Sequence, residues 1–242
     1  MFELLGIALA PGFAIMLYIY LKDKHEREPV LLLFLSFIYG IFSTFITLGI
    51  SFPLEKFLAL KDDDVLHQFY DAFFKVALVE EFSKFLFVRF ILYPNKNFNE
   101  PFDGIVYAVM VSMGFATFEN VIYVYSYGIE TGILRMFTAV PAHATFGVIM
   151  GYFLGIGKFR KFHRFYFSLF ALMGATFFHG AYDYFWFIAD ATGVWTGIWM
   201  GAIVSLIVGL ILSRKAIRLH QQASPFIEPV IASDEKPAAG EP

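Results

Sequence analysis

The sequence predicts an all-α, polytopic transmembrane helix bundle of about seven helices, and three observations predict it. Of the 242 residues, 58% are hydrophobic and only 16% are charged, against about 25% charged in an ordinary soluble domain. Mean hydropathy is +0.64. The apolar residues gather into runs of about 20, the length an α-helix needs to cross a hydrocarbon core roughly 30 Å thick.

The first run, 2–21, is followed by Lys22, Lys24 and Arg27. A secretory signal carries its basic cluster in front, so this run reads as an uncleaved anchor. The next runs are 30–52, 69–93, 102–127, 133–156, 165–189 and 194–212. Segment 53–68 mixes apolar residues with Glu55, Lys56, Lys61 and Asp62 to Asp64, too polar to cross, and reads as an outer loop or a helix lying at the interface. Residues 1–213 therefore form one transmembrane domain, with its chemistry-bearing core at 69–190. Residues 214–242, rich in Ala, Pro, Ser and Glu towards their end, read as a disordered tail.

Basic residues cluster in alternate loops: Arg89 and Lys96 after the third run, Lys158, Arg160, Lys161 and Arg164 after the fifth, Arg214, Lys215 and Arg218 after the seventh. The opposite loops hold only Lys56, Lys61 and Arg135. The positive-inside rule then puts the N-terminus outside the cell membrane and the C-terminus in the cytoplasm. The absence of cysteine excludes disulfides and thiolate chemistry, and leaves His, Asp and Glu as the available metal ligands. A net charge of -3 gives no reason to expect nucleic acid as a partner.

Against this apolar background stand Glu80, Glu81, Lys84, Glu119, His143, His179 and Asp183. Ionisable groups inside a bilayer are costly, and they mark functional sites by default. Glu80, His143 and His179 each lie about 10 residues from the presumed outer end of their helix, roughly 15 to 17 Å deep at the helical rise. Glu119, with Asn120 beside it, and Asp183 lie somewhat shallower. One interhelical hydrogen bond would explain any single one of these residues, but four helices contributing to one layer call for a site.

Spacing adds detail. Glu80 and Lys84 are four apart in the favourable order for a same-face ion pair. His179 and Asp183 share that spacing, which lets the carboxylate hold the imidazole. His143 shares a stripe with Gly147, Gly151 and Gly155, a series of small residues that admits a neighbouring helix closely. Pro141 removes a backbone donor just before it and is expected to kink the helix. A carboxylate base beside hydrogen-bond donors suffices for amide hydrolysis. Two histidines, His143 and His179, with a carboxylate such as Glu119 equally suit a divalent metal such as zinc, and no HExxH motif decides between the two.

Taken in order, Glu80-Glu81-Phe-Ser-Lys84 (EExxK), Pro101-Phe-Asp103-Gly104, Phe115-Ala-Thr-Phe-Glu119 (FxxxE), Pro141-Ala-His143 and His179-Gly-Ala-Tyr-Asp183 (HxxxD) resemble the PrsW family of membrane proteases. That family is a branch of the superfamily that includes the CAAX prenyl endopeptidases. The resemblance implies peptide-bond hydrolysis in or near the membrane, the family's namesake cutting an anti-sigma factor on its extracytoplasmic side. It implies Glu80 as the residue that activates water, with Glu81 supporting it and His143 and His179 orienting water or stabilising the oxyanion. Lys84, Glu119, Asn120 and Asp183 support the site. The wider superfamily carries FxxxH and often HxxxN where this chain has Glu119 and Asp183, as the PrsW branch does. Two other classes stay open on the residues alone: a proton-coupled transporter, for which no inverted repeat is visible, and a non-catalytic membrane scaffold.

Overall fold

The computed structural model describes residues 2–57, 65–160, 162–193 and 195–227. Among them are seven helices and no strand: α1 (Phe2–Lys22), α2 (Val30–Phe57), α3 (65–92), α4 (Pro101–Tyr127), α5 (Ile129–Phe159), α6 (Arg164–Thr192) and α7 (Trp195–Gln222). Five of them, α1, α2, α4, α5 and α7, are long and apolar enough to cross a membrane. The predicted membrane bundle is therefore the observed one.

Helix α4 is the axis of the molecule. It and α5 are largely buried, whereas α1, α2 and α7 turn most of their length outward. Phe34, Phe42, Phe45, Val204 and Ile211 are among the large apolar side chains left exposed on that periphery. Between lipid-covered helices, apolar side chains gain nothing by leaving water, so close backbone approach and polar contacts must hold the bundle. The glycine stripe supplies the approach. A Cβ on Gly151 would stand 2.2 Å from the Gly104 carbonyl oxygen, and one on Gly155 would stand 2.3 Å from that of Pro101. On the other face of α4, a Cβ on Gly114 would meet the Phe37 carbonyl oxygen of α2 at 1.9 Å. Two helices, α5 and α2, thus meet α4 at distances that only glycine permits.

Helix α3 is continuous but not uniform. Its Asp71–Ala77 and Val88–Leu92 segments are π-helical, and the Tyr93 N–H reaches back five residues to the Val88 carbonyl at 2.8 Å. Such wide turns shift the angular phase of everything after them and recur at functional sites. Helix α5 is broken at Thr138 (φ -121°, ψ -79°). The kink expected from Pro141 falls here because its ring clashes with the carbonyl one turn earlier. The break separates a short arm, Ile129–Phe137, from a long arm, Ala139–Phe159.

The end of the bundle opposite that break is a clasp. Glu100 caps α4, Pro101 occupies its first turn, and Asp103 Oδ2 accepts the N–H groups of Asn99 and Glu100, each at 2.7 Å. This gives the Pro101 to Gly104 motif a local explanation: a capping box followed by a glycine at the α5 crossing. Tyr107 donates to Glu28, and Ser224 donates to Glu100. Burial pushes the carboxyls of this loop layer up, Asp23 to about 6 and Glu28 to about 7, with Glu100 raised as well.

Three boundaries differ from the sequence expectation. Helix α2 runs on to Phe57 and α3 starts at Val65, so both ends of 53–68 are helical; Lys61 and the acidic run Asp62 to Asp64 lie outside the described residues. Helix α7 continues through Arg214 to Gln222, the stretch expected to begin a disordered tail. The reason is anchoring. His220 Nδ1 lies 2.8 Å from the Pro101 carbonyl, Gln221 donates to the Lys22 carbonyl at 2.5 Å, and Ala216 and Ile217 are buried. Tail residues 228–242 lie outside the described residues.

Candidate active site

Every ionisable residue singled out above lies at one place, between α3, α4, α5 and α6. From α3, Glu80, Glu81 and Lys84 project into the bundle. Glu81 and Lys84 are fully buried, and Glu80 nearly so. Lys84 Nζ donates to Glu81 Oε1 at 2.7 Å and stands 3.7 Å from Glu80 Oε2. The closer partner is thus Glu81, three residues away, and not the expected Glu80. Both positions lie on the same helical face. Lys84 also sits 4.0 Å over the Phe115 ring of α4, a cation–π contact that adds to the ion pair.

The histidines have different surroundings. His143 Nδ1 faces Lys84 Nζ at 3.2 Å, and its Nε2 faces Glu119 Oε2 at 3.0 Å. His179 lies between carboxylates: Nδ1 is 2.9 Å from Glu81 Oε1, while Nε2 is 3.1 Å from Asp183 Oδ2 and 3.8 Å from Glu80 Oε2. The predicted His179 and Asp183 pair is present. The rings of His143 and His179 stand edge to face with centroids 5.0 Å apart, and Phe146 stacks on His179 at 4.7 Å. These aromatic contacts lock both imidazoles in place.

Glu119 is held by a residue that sequence reasoning read only as an outer-loop charge. Arg135 donates from a terminal nitrogen to Glu119 Oε2 at 2.7 Å and from Nε to Asn120 Oδ1 at 3.1 Å. Asn120 in turn donates to the Ala8 carbonyl of α1 at 3.0 Å. The break at Thr138 lets the short arm of α5 lie where Arg135 faces back into the bundle. One signal was available: Arg135 is the sole Lys or Arg between Lys96 and Lys158.

Glu80, Glu119, Arg135, His143, His179 and Asp183 are among the residues that line a cavity of about 380 Å³. Glu80 Oε2 is buried at its wall with no hydrogen-bond partner. The donor atoms of Glu80, His143 and His179 lie within 4.8 Å of one another, a set that can hold a metal ion. The set differs from the expected one in its carboxylate. The carboxylate that joins the two histidines is Glu80, because Glu119 is already committed to Arg135 and His143. Two histidines and one glutamate, with room left for water, match the donor chemistry of catalytic zinc sites. Glu81 behind His179 Nδ1 is the kind of carboxylate that orients a ligating imidazole.

The comparisons with known proteins place the chain in a family. Residues 28–214 match the family model described as PrsW family intramembrane metalloprotease. The chain is 39% identical over 184 residues to Protease PrsW of Geobacillus kaustophilus, covering 76% of this chain and 80% of that protein. It is 35% identical over 196 residues to Protease PrsW of Bacillus subtilis, covering 81% and 86%. It is 33% identical over 188 residues to Protease PrsW of Clostridioides difficile, covering 75% and 78%. No solved structure matches. A membrane helix bundle with its EExxK, FxxxE and HxxxD motifs around one cavity, and a family match over most of its length, identify the chain as a membrane peptidase belonging to the PrsW family.

Proposed function

We propose that this peptidase is an endopeptidase that hydrolyses its substrate at the cavity between α3, α4, α5 and α6, with water activated at Glu80. The observation that carries the reading is the Glu80 carboxylate. It is buried at the cavity wall, lacks a hydrogen-bond partner, and faces the donor atoms of both histidines. A carboxylate so placed accepts a proton from water as the water attacks a peptide carbonyl. His179, held at Nδ1 by Glu81, and His143, held at Nδ1 by Lys84, present Nε2 towards the cavity side. Each Nε2 faces a carboxylate there, Glu119 for His143 and Asp183 for His179, and its N–H turns from that carboxylate to the water or to the oxyanion that develops. Asp183, Glu119, Asn120 and Arg135 fix the rings and the cavity mouth.

The same donors favour a second reading, in which Glu80, His143 and His179 hold a divalent cation such as zinc. Such an ion supplies, when bound, a Lewis acid and an acidified water. In that reading Glu81 orients His179 through Nδ1. The basic loops support an outside N-terminus and a cytoplasmic C-terminus in the cell membrane, which puts the cavity on the extracytoplasmic side. The substrate is then a membrane protein cut near its outer end, of the anti-sigma factor kind.

The test is proteolysis by purified protein carrying Glu80→Gln, His143→Ala or His179→Ala, with elemental analysis of each. Folded variants that all cleave like wild type overturn the site assignment. Full activity in protein holding no stoichiometric metal overturns the metal reading and leaves the glutamate base.

A further inference from the structure

The cavity holding Glu80 does not end at its own walls. Val76 and Phe187 line it, and they also line a second cavity of about 300 Å³ bounded by Ser51 and Leu54 of α2 and by Asp71 and Lys75 of α3. These residues sit near the end of α2, near the start of α3 and near the end of α6, so the second cavity lies between those helices, towards one end of the bundle. Its polar rung is Lys75, which pairs with Asp71 at 2.7 Å. The segment of α3 that forms this wall is the π-helical turn Asp71–Ala77, one turn before Glu80.

We infer that the gap between α2, α3 and α6, closed by Val76 against Phe187, is a lateral portal through which an extended segment of a membrane-resident polypeptide reaches the inner cavity. A peptide bond in an intact helix has its carbonyl and N–H occupied, so a chain must be unwound before it is cut. An unwound chain inside the bilayer needs polar partners for its backbone. Asp71 and Lys75 offer both an acceptor and a donor at the place where unwinding has to occur. The portal's position near the helix ends selects the juxtamembrane end of a span and not its centre.

The occupant rests on the peptidase reading, but the portal is tested apart from catalysis. The chain has no cysteine, so one introduced at Ala139, which lines only the inner cavity, is unique. In proteoliposomes, a bilayer-partitioning maleimide should label Ala139→Cys at least tenfold more slowly when Leu54→Trp or Ser51→Trp is added. Labelling by a charged, water-soluble methanethiosulfonate should not change. Equal slowing of both reagents, or of neither, overturns the portal.

The second arm uses a synthetic single-span peptide with a Gly-Gly-Pro interruption and a cysteine near the outer end of its span, added to the Glu80→Gln protein. A disulfide to Leu54→Cys that is absent at Phe34→Cys, on the α1 and α2 side of the bundle, is expected. No disulfide, or one of equal yield at Phe34, overturns the polypeptide as occupant. If instead Glu80→Gln cleaves like wild type, the catalytic assignment fails and the labelling result still decides the portal.

Discussion

Lys84 Nζ lies 3.2 Å from His143 Nδ1, while Glu119 Oε2 lies 3.0 Å from the other nitrogen of the same ring. An ammonium group has donors and no acceptor, so the ring must turn its lone pair to Lys84 and its proton to Glu119. One buried lysine thereby sets the tautomer of a histidine on another helix and neutralises Glu81 on its own helix.

Removing that lysine should be severe. In Lys84→Met, Glu81 keeps its burial and loses its nearest cation, and breaking one side of a buried ion pair typically costs about 3–5 kcal/mol. The expected result is a lower melting temperature in detergent, partly restored by adding Glu81→Gln. Equal melting of Lys84→Met and wild type would show that the pair is not needed for the fold.

Glu80→Gln should behave in the opposite way. Its Oε2 makes no hydrogen bond to lose, so the variant should melt like wild type. Cleavage should drop by about 10²-fold or more, the usual weight of a general base. Wild-type turnover in a folded Glu80→Gln protein removes Glu80 from the chemistry.

Arg135→Gln should lower kcat by about 10²-fold, because a displacement of about 1 Å in a catalytic group has that effect. Arg135→Lys should recover only part, since a lysine cannot serve Glu119 and Asn120 with one planar fork. Unchanged kinetics in both variants would reduce Arg135 to a surface charge.

The α4 and α5 seam offers a packing test. A Cβ on Gly151 has only 2.2 Å to the Gly104 carbonyl oxygen, whereas one on Gly6 meets nothing within 4 Å. Gly151→Ala should destabilise by about 1–3 kcal/mol as the helices are forced apart, and Gly6→Ala should be neutral. Thermal unfolding in detergent distinguishes them.

The clasp should make stability depend on pH. Asp23 and Glu28 titrate at about 6 and about 7 in the folded chain, raised by burial above their ordinary carboxylate values. Between those values and the ordinary ones the folded state binds more protons than the unfolded state, so stability falls as pH rises. The contribution is complete below about pH 4, where both states are protonated, and it is lost as pH climbs through about 6 to about 7. Melting temperatures measured from pH 5 to 8 should decline, and Asp23→Asn with Glu28→Gln should flatten the decline.

What the sequence made legible follows from period and cost. Apolar runs marked the helices, and charges in those runs marked the layer that holds Glu80, His143 and His179. The small-residue period of Gly147, Gly151 and Gly155 pointed to a close neighbour. Contacts that depend on where a helix breaks were not legible. Arg135 reads as a loop charge until Thr138 interrupts α5, and its pairing with Glu119 is invisible until then. The helical stretch after Leu212 was hidden because its polar residues, His220 and Gln221, find partners on segments distant in sequence.

The contacts of His220, Gln221 and Ser224 bind the last helix and the turn after it to the start of α4 and to the end of α1. The cavity lined by Thr131 and Phe187 among others lies towards the other end of the bundle. The molecule is fastened like a clothes-peg at its sprung end, and on the proposed portal, helices that part to admit a chain would pivot about that fastening and open most near Glu80.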